Sequence, residues 1–175
     1  MDFYENIVEL IDMRSFSNLW YWIALAVMWS SASHWVLGVP FDLVLRARRK
    51  GGAAQADVED LARINVNRLL YIGRVSGVWG LGLVAFTLSM LMMLGFIYGI
   101  EFCQAMFLMA FPMSIVSLMS MRAALRIEQG EGQGDALFKR LRRHRRNIQM
   151  LGMVSIFVTA LWGMWQNMNS SVLGG

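Results

Sequence analysis

The charged residues of this chain are sorted into blocks. Of its sixteen Lys and Arg, fifteen lie in two segments, 42–74 and 122–146, and only Arg14 falls outside them. Around these segments run four stretches without a charge: 15–41, 75–100, 102–121 and everything after Arg146. A helix crosses the hydrocarbon of a bilayer in about 20 residues at ~1.5 Å each. All four stretches reach that length, the third with the least to spare. Composition agrees, since 57% of the residues are hydrophobic and 16% charged, with a mean hydropathy of +0.46. Soluble domains carry nearer ~25% charged residues. The chain therefore reads as an all-α polytopic membrane protein in which residues 1–175 form a single integral membrane domain. Its four spans are expected near 19–38, 75–96, 103–121 and 148–165, and no separate soluble domain fits.

Counting charge sets the direction of threading. Segment 42–74 holds seven basic and four acidic residues, net +3, and segment 122–146 holds eight and three, net +5. The arm before the first span is net −3, and the turn between spans two and three carries only Glu101. Loops rich in Lys and Arg stay in the cytoplasm, so both basic segments are expected inside and both termini in the periplasm. The same rule accounts for the pI near 9.7 without invoking nucleic acid. Trp20, Tyr21, Trp22, Tyr98, Phe102, Trp162 and Trp165 gather at the expected outer interface, where amphipathic rings settle. The acidic start is the opposite of a basic leader region, so the first span is expected to act as its own insertion signal.

Three segments outside the spans have patterns of their own. Asp2, Glu5, Glu9 and Asp12 recur at helical spacing opposite Phe3, Ile7, Leu10 and Ile11. They predict an amphipathic helix lying on the outer interface, its carboxylate stripe turned to water or to a basic partner. In the first basic segment Gly51-Gly52 breaks the chain, Asp57 is placed as the cap of a new helix, and Val58, Leu61 and Ile64 form its apolar side. In the second, Lys139, Arg140, Arg142, Arg143, Arg145 and Arg146 sit just inside span four. They are candidates for contact with anionic lipid or an acidic partner, worth about 1 kcal/mol per cation near an anionic surface.

Candidates for chemistry are few. His34, in the first span, is the one ionisable residue inside any span, and a neutral imidazole there can ligate haem iron or meet a quinone. A haem held by two histidines needs a second, and the other histidine is His144 in the basic run. Gly73, Gly77 and Gly80 line one face of span two, a packing seam within the bundle or against another protein. Ser114, Ser117 and Ser120 share a face of span three and suggest interhelical hydrogen bonds. Pro112 is placed to kink that span. The methionines of spans two and three read as flexible core filler, because no Cys or His joins them at ligand spacing. The single Cys103 cannot form an internal disulfide or a cysteine-only metal site. No phosphate-cradling glycine loop, Ser/His/Asp set or paired catalytic carboxylates are found, so no cofactor, metal or enzyme activity is assigned.

The runs DMRSFSNLWYWIALAVMWSSASHWVLGVP, RINVNRLLYIG and MVSIFVTALWGMWQN resemble those of a small uncharacterised membrane-protein family. That family comes from purple photosynthetic and marine alphaproteobacteria and is labelled "component of SufBCD complex". The resemblance covers the whole chain and implies a multi-pass bacterial inner-membrane protein near iron–sulfur cluster assembly. One cysteine cannot scaffold a cluster, so the implied part is a tether for soluble machinery on the basic loops.

The sequence thus leads to a non-catalytic accessory or assembly subunit of a larger membrane complex, whether respiratory, photosynthetic or devoted to iron–sulfur assembly. Two alternatives belong to other classes. One is a redox membrane protein using His34 with haem or quinone; the other is a small transporter or channel, which calls for a polar path that the spans do not supply.

Overall fold

A computed structural model describes Phe16 and residues 18–172, with side chains through 168. The acidic stripe of Asp2, Glu5, Glu9 and Asp12 lies outside the described residues. The fold is all-α apart from one small hairpin. Helix α1 spans Leu19–His34; strands β1 (Trp35–Val36) and β2 (Val39–Pro40) follow; α2 is Phe41–Lys50. Helix α3 (Gly52–Met92) ends in a wide π turn at Met93–Ile97, and α4 (Glu101–Arg126) in another at Ile127–Glu131. Helix α5 is Gly134–Val172. Three of these helices, counted with their wide turns, are long and apolar enough to cross a membrane: Gly52–Ile97, Glu101–Glu131 and Gly134–Met168. They contain the apolar stretches expected at 75–96, 103–121 and 148–165.

The first apolar stretch departs from expectation at the C-terminal end of its helix. Its helix stops at His34 and not at Gly38, because Leu37 and Gly38 both take positive φ, +53° and +76°. Two left-handed residues in succession make the tight turn that pairs Val36 with Val39. Asn65 of α3 holds this turn, donating from Nδ2 to the Gly38 carbonyl at 3.3 Å. A Cβ on Gly38 would lie 2.8 Å from the Asn65 side chain, so glycine is required on two counts.

The first basic segment is more ordered than its charge suggests. Residues 41–50 form α2, with Asp42 in the first turn and Arg48, Arg49 and Lys50 in the last, as the helix dipole favours. Gly51 ends it at φ +61°, and α3 starts at once at Gly52. Asp57 therefore lies inside α3 and caps nothing. The buried side of α3 is also shifted, to Val58, Ala62, Val66 and Leu70, leaving Ile64 exposed. The spacing of four residues follows one ridge of the helix, and burial against α2 and α5 selects it.

Three clusters of buried side chains hold the bundle. At the basic end, Val36, Val39, Phe41, Val44 and Ala47 pack with α3's Val58 to Leu70 ridge, with Ala124 and Ile127, and with Leu137, Phe138 and Leu141. In the middle, Leu25, Trp29, Val116 and Ile148 meet. At the far end Phe16, Tyr21 and Ala105 pack with Trp22 and Trp162. Helix α1 lies along α5: the Gly152 Cα abuts the Trp29 ring and Gly163 abuts Phe16. The far-end aromatics divide accordingly. Tyr21 is buried and Trp22 and Trp162 are half-buried, while Trp20, Tyr98, Phe102 and Trp165 stay exposed.

The apolar half of helix α3, unlike its Val58–Leu70 ridge, is largely uncovered by the bundle. Between residues 71 and 90 every side chain is exposed except Gly73, Gly77 and Leu88, which are half-buried. In its most apolar stretch 6% of residues are buried, against 22% and 28% in α4 and α5. Helix α3 closes on α4 at Gly73, beside Met121, and again at Gly95, beside Gln104. Between those contacts α3 uses about 22 residues and α4 about 17, so at ~1.5 Å each α3 takes the longer path.

Candidate functional site

Polar side chains collect at the two ends of the bundle. At the far end the hub is Gln104, a buried residue on the first turn of α4. Its Nε2 donates to the Gly95 carbonyl at 2.8 Å, which the π turn presents to it. Its Oε1 accepts from Trp162 Nε1 at 3.0 Å and from Gln166 Nε2. One amide thus joins the ends of α3, α4 and α5. Nearby, Glu101 Oε1 accepts from the Phe16 N–H at 2.8 Å, and the Tyr21 hydroxyl donates to the Ala105 carbonyl at 3.2 Å. The one charge between spans two and three is therefore an anchor for the start of α1.

At the basic end the acidic residues work as internal ties. Glu128 binds the Arg74 Nη2 through both oxygens, at 2.9 and 2.7 Å, joining α4's end to α3. Glu59 Oε1 accepts from the Gly134 N–H at 2.8 Å, which fixes the start of α5. Glu131 holds the Arg140 guanidinium in a two-pronged pair, with one prong at 2.6 Å. That bond, with the Arg140, Arg126 and Arg143 charges around it, keeps the Glu131 carboxyl below the usual carboxylate range and raises Arg140.

The run 139–146 splits by face. Lys139, Arg142, Arg143 and Arg146 are exposed and available to lipid or an acidic partner. Arg140 is committed to Glu131. Arg145 lies over the Phe41 ring, 3.9 Å from its centroid, so it closes the basic-end core against α2 and is half-buried. His144, which the sequence left inside a run of cations, is 4% exposed and packed at the α4–α5 seam. Its Nε2 lies 3.0 Å from Ser120 Oγ, and burial, with the Arg140 charge, pushes its pKa down.

His34 ends α1 with its ring exposed, edge-on to Trp35 at 5.8 Å and 3.8 Å from Asp42 Oδ1. The two histidines thus have separate partners, Asp42 and Ser120. Among the described residues no group of three His, Cys, Asp or Glu side chains converges as a metal site. The glycine seam is real at one position: a Cβ on Gly73 would meet the Met121 methyl at 2.5 Å, whereas Gly77 and Gly80 face open space. The serine face behaves differently from expectation. Ser114 and Ser117 bond back to the Ala110 and Met113 carbonyls of their own helix, and only Ser120 reaches across. Helical Ser hydroxyls one turn from a free carbonyl lone pair take it when no partner helix comes close.

Sequence reasoning missed Gln104 and His144 as hubs. Gln104 had a visible signal, an amide isolated in an apolar stretch, which must find partners when buried. No protein-family model, curated protein or solved structure matches this chain.

Proposed function

We propose that the chain is a four-crossing inner-membrane protein with both termini periplasmic, a non-catalytic accessory or assembly subunit of a larger membrane complex. The observation that carries the accessory reading is the exposure of α3's apolar stretch. Residues 71–90 bury almost no surface in the bundle, although the Val58–Leu70 ridge of the same helix is in the core, and Gly77 and Gly80 leave the backbone open to close approach. Small residues on a membrane helix favour packing against another helix, and here none of the chain's own helices takes that place.

The fourth crossing is α1. Its 16 residues cover about 24 Å, short of a ~30 Å core. Its partners support a crossing nonetheless, since Phe16 meets Gly163 at the far end and Val36 joins the Leu137 cluster at the basic end. Flanking extended residues supply the remaining length. The excess of Lys and Arg assigns the basic end to the cytoplasm.

Two experiments test these readings. In a Cys103→Ser background, Asn18→Cys is expected to react with an impermeant thiol reagent from the periplasmic side. Labelling from the cytoplasmic side would refute the periplasmic placement of the start of α1. Purification in mild detergent followed by mass spectrometry should recover a reproducible membrane partner, and Gly77→Leu with Gly80→Leu should release it. A lone monodisperse protein would refute the accessory reading.

A further inference from the structure

Helices α4 and α5 frame an open cleft of about 170 Å³ at the basic end, lined by arginines of which Arg122, Arg126 and Arg143 are exposed. Arg122 and Arg126 come from successive turns of α4, while Arg140, Arg143, His144 and Asn147 come from the facing side of α5. The floor is apolar, formed by Met119 and Ala123. Four arginines therefore line a space larger than one water, whose share of liquid is about 30 Å³. Glu131 is the carboxylate that faces the group, and it is bound to Arg140. Among the described residues Arg122, Arg126 and Arg143 make no ion pair with a carboxylate. The cleft thus carries more cationic than anionic side chains, which favours an anion there.

Depth identifies that anion. Arg122 is the first charge after the apolar stretch 102–121, and Asn147 lies just before the apolar stretch that begins at Ile148. The cavity therefore opens where a bilayer's hydrocarbon gives way to its headgroups, with cations at that level and an apolar floor on the hydrocarbon side. Guanidinium forks match phosphate oxygens in pairs, and basic pockets between helices on the cytoplasmic side suit anionic headgroups.

We propose that the α4–α5 cavity is a phosphate-binding site, for the headgroup phosphate of an anionic phospholipid or for a soluble phosphate, with Arg122, Arg126 and Arg143 as its free guanidinium donors. This rests on the basic end facing the cytoplasmic leaflet; it is independent of the accessory role. A chain that recovers a partner but retains no phosphate would lose this proposal alone.

The test is native mass spectrometry of the full-length protein in detergent mixed with phosphatidylcholine or phosphatidylglycerol, beside a titration with inorganic phosphate. The wild type should retain phosphatidylglycerol in preference to phosphatidylcholine. Arg126→Gln with Arg143→Gln should reduce that retention about tenfold or more, as expected on losing charge-assisted hydrogen bonds. Lys139→Gln with Arg142→Gln removes the same charge outside the cavity and should change it less than about twofold. Arg122→Gln, one turn from Arg126, should act like the cavity pair. Binding of inorganic phosphate without lipid selectivity, lost in the cavity variants, would support the site with a soluble phosphate as its ligand. Equal losses from both pairs would overturn it as diffuse surface charge. So would a wild type that retains neither phosphatidylglycerol nor phosphate.

Discussion

Replacing Gln104 by leucine removes three hydrogen bonds with one substitution of similar bulk. The amide donates to Gly95 and accepts from Trp162 and Gln166, so the variant leaves a carbonyl, an indole N–H and a second amide without their partner. In membrane proteins such interhelical bonds average about 0.6 kcal/mol each, because the unfolded helices find other partners in the bilayer. Three bonds then amount to about 2 kcal/mol, or roughly thirtyfold in the folding equilibrium. The assay is unfolding in mixed micelles of increasing sodium dodecyl sulfate, followed by tryptophan fluorescence. Trp162 is itself a reporter, since it is half-buried and its ring lies tilted against Phe96, with ring centroids 5.2 Å apart. A double cycle with Trp162→Phe isolates one bond of the three. If the amide is the hub, the cycle shows a coupling beyond the ~0.5 kcal/mol scatter expected of independent sites. A Gln104→Leu loss below about 0.5 kcal/mol, with no coupling to Trp162, would refute the idea that one buried amide fastens the far end.

The other expectations concern close contacts and titration. Gly95→Ala should cost about 1–3 kcal/mol, because its Cβ would sit 2.8 Å from the Gln104 backbone nitrogen, which cannot swing aside. Gly152→Ala should destabilise to a similar extent of about 1–3 kcal/mol by driving into the Trp29 ring, whereas Gly77→Ala, with nothing within 4 Å, should be neutral in the same unfolding assay. His144 predicts a pH dependence. Its lowered pKa means that the unfolded chain takes up the proton first, so stability is full above the ordinary value of 6.5. It is lost as pH falls below 6.5 toward the folded value. Glu131, also lowered, loses its contribution only below 4.5, so unfolding midpoints compared at pH 8 and pH 5 report on His144. His144→Asn should flatten that difference, and an unchanged pH profile would exclude the histidine as its source.

Spans two, three and four were legible because each is a long charge-free run, and hydrophobic length is what a bilayer demands. The limits of α1 were harder to read, since Leu37 and Gly38 end its helix through a two-residue turn inside apolar sequence. A loss of charge marks a span, but nothing apolar marks that turn. Gln104 could have been suspected from its isolation in an apolar stretch. The pairing of Ser120 with His144 joins residues 24 apart in sequence, and only the antiparallel docking of α4 on α5 brings them together.

The basic segments, read as cytoplasmic loops with one helix starting at Asp57, hold more helix and more core than that reading gave them. Their apolar residues are sparse but helically spaced: Phe41, Val44 and Ala47 on α2, and Val58, Ala62, Val66 and Leu70 on α3. Neither set is long enough to announce a span, and both pack with Leu137, Phe138 and Leu141 in one core. The same segments therefore serve two ends. Exposed Lys and Arg give this layer a polar surface, while Glu128 and Glu131 pair with Arg74 and Arg140, and Glu59, accepting from the Gly134 N–H, ties α3 to the start of α5. Ties of this kind use up Arg74 and Arg140 and leave Arg122, Arg126 and Arg143 without a carboxylate partner. Arg46, Arg48, Arg49 and Lys50 on α2 are likewise without a carboxylate partner among the described residues, so what sets the α4–α5 seam apart is that Arg122, Arg126 and Arg143 line one cleft with the buried His144. Net charge alone predicts a uniform attraction to anionic surfaces; the shared lining of the cleft predicts a preferred place for an anion between α4 and α5.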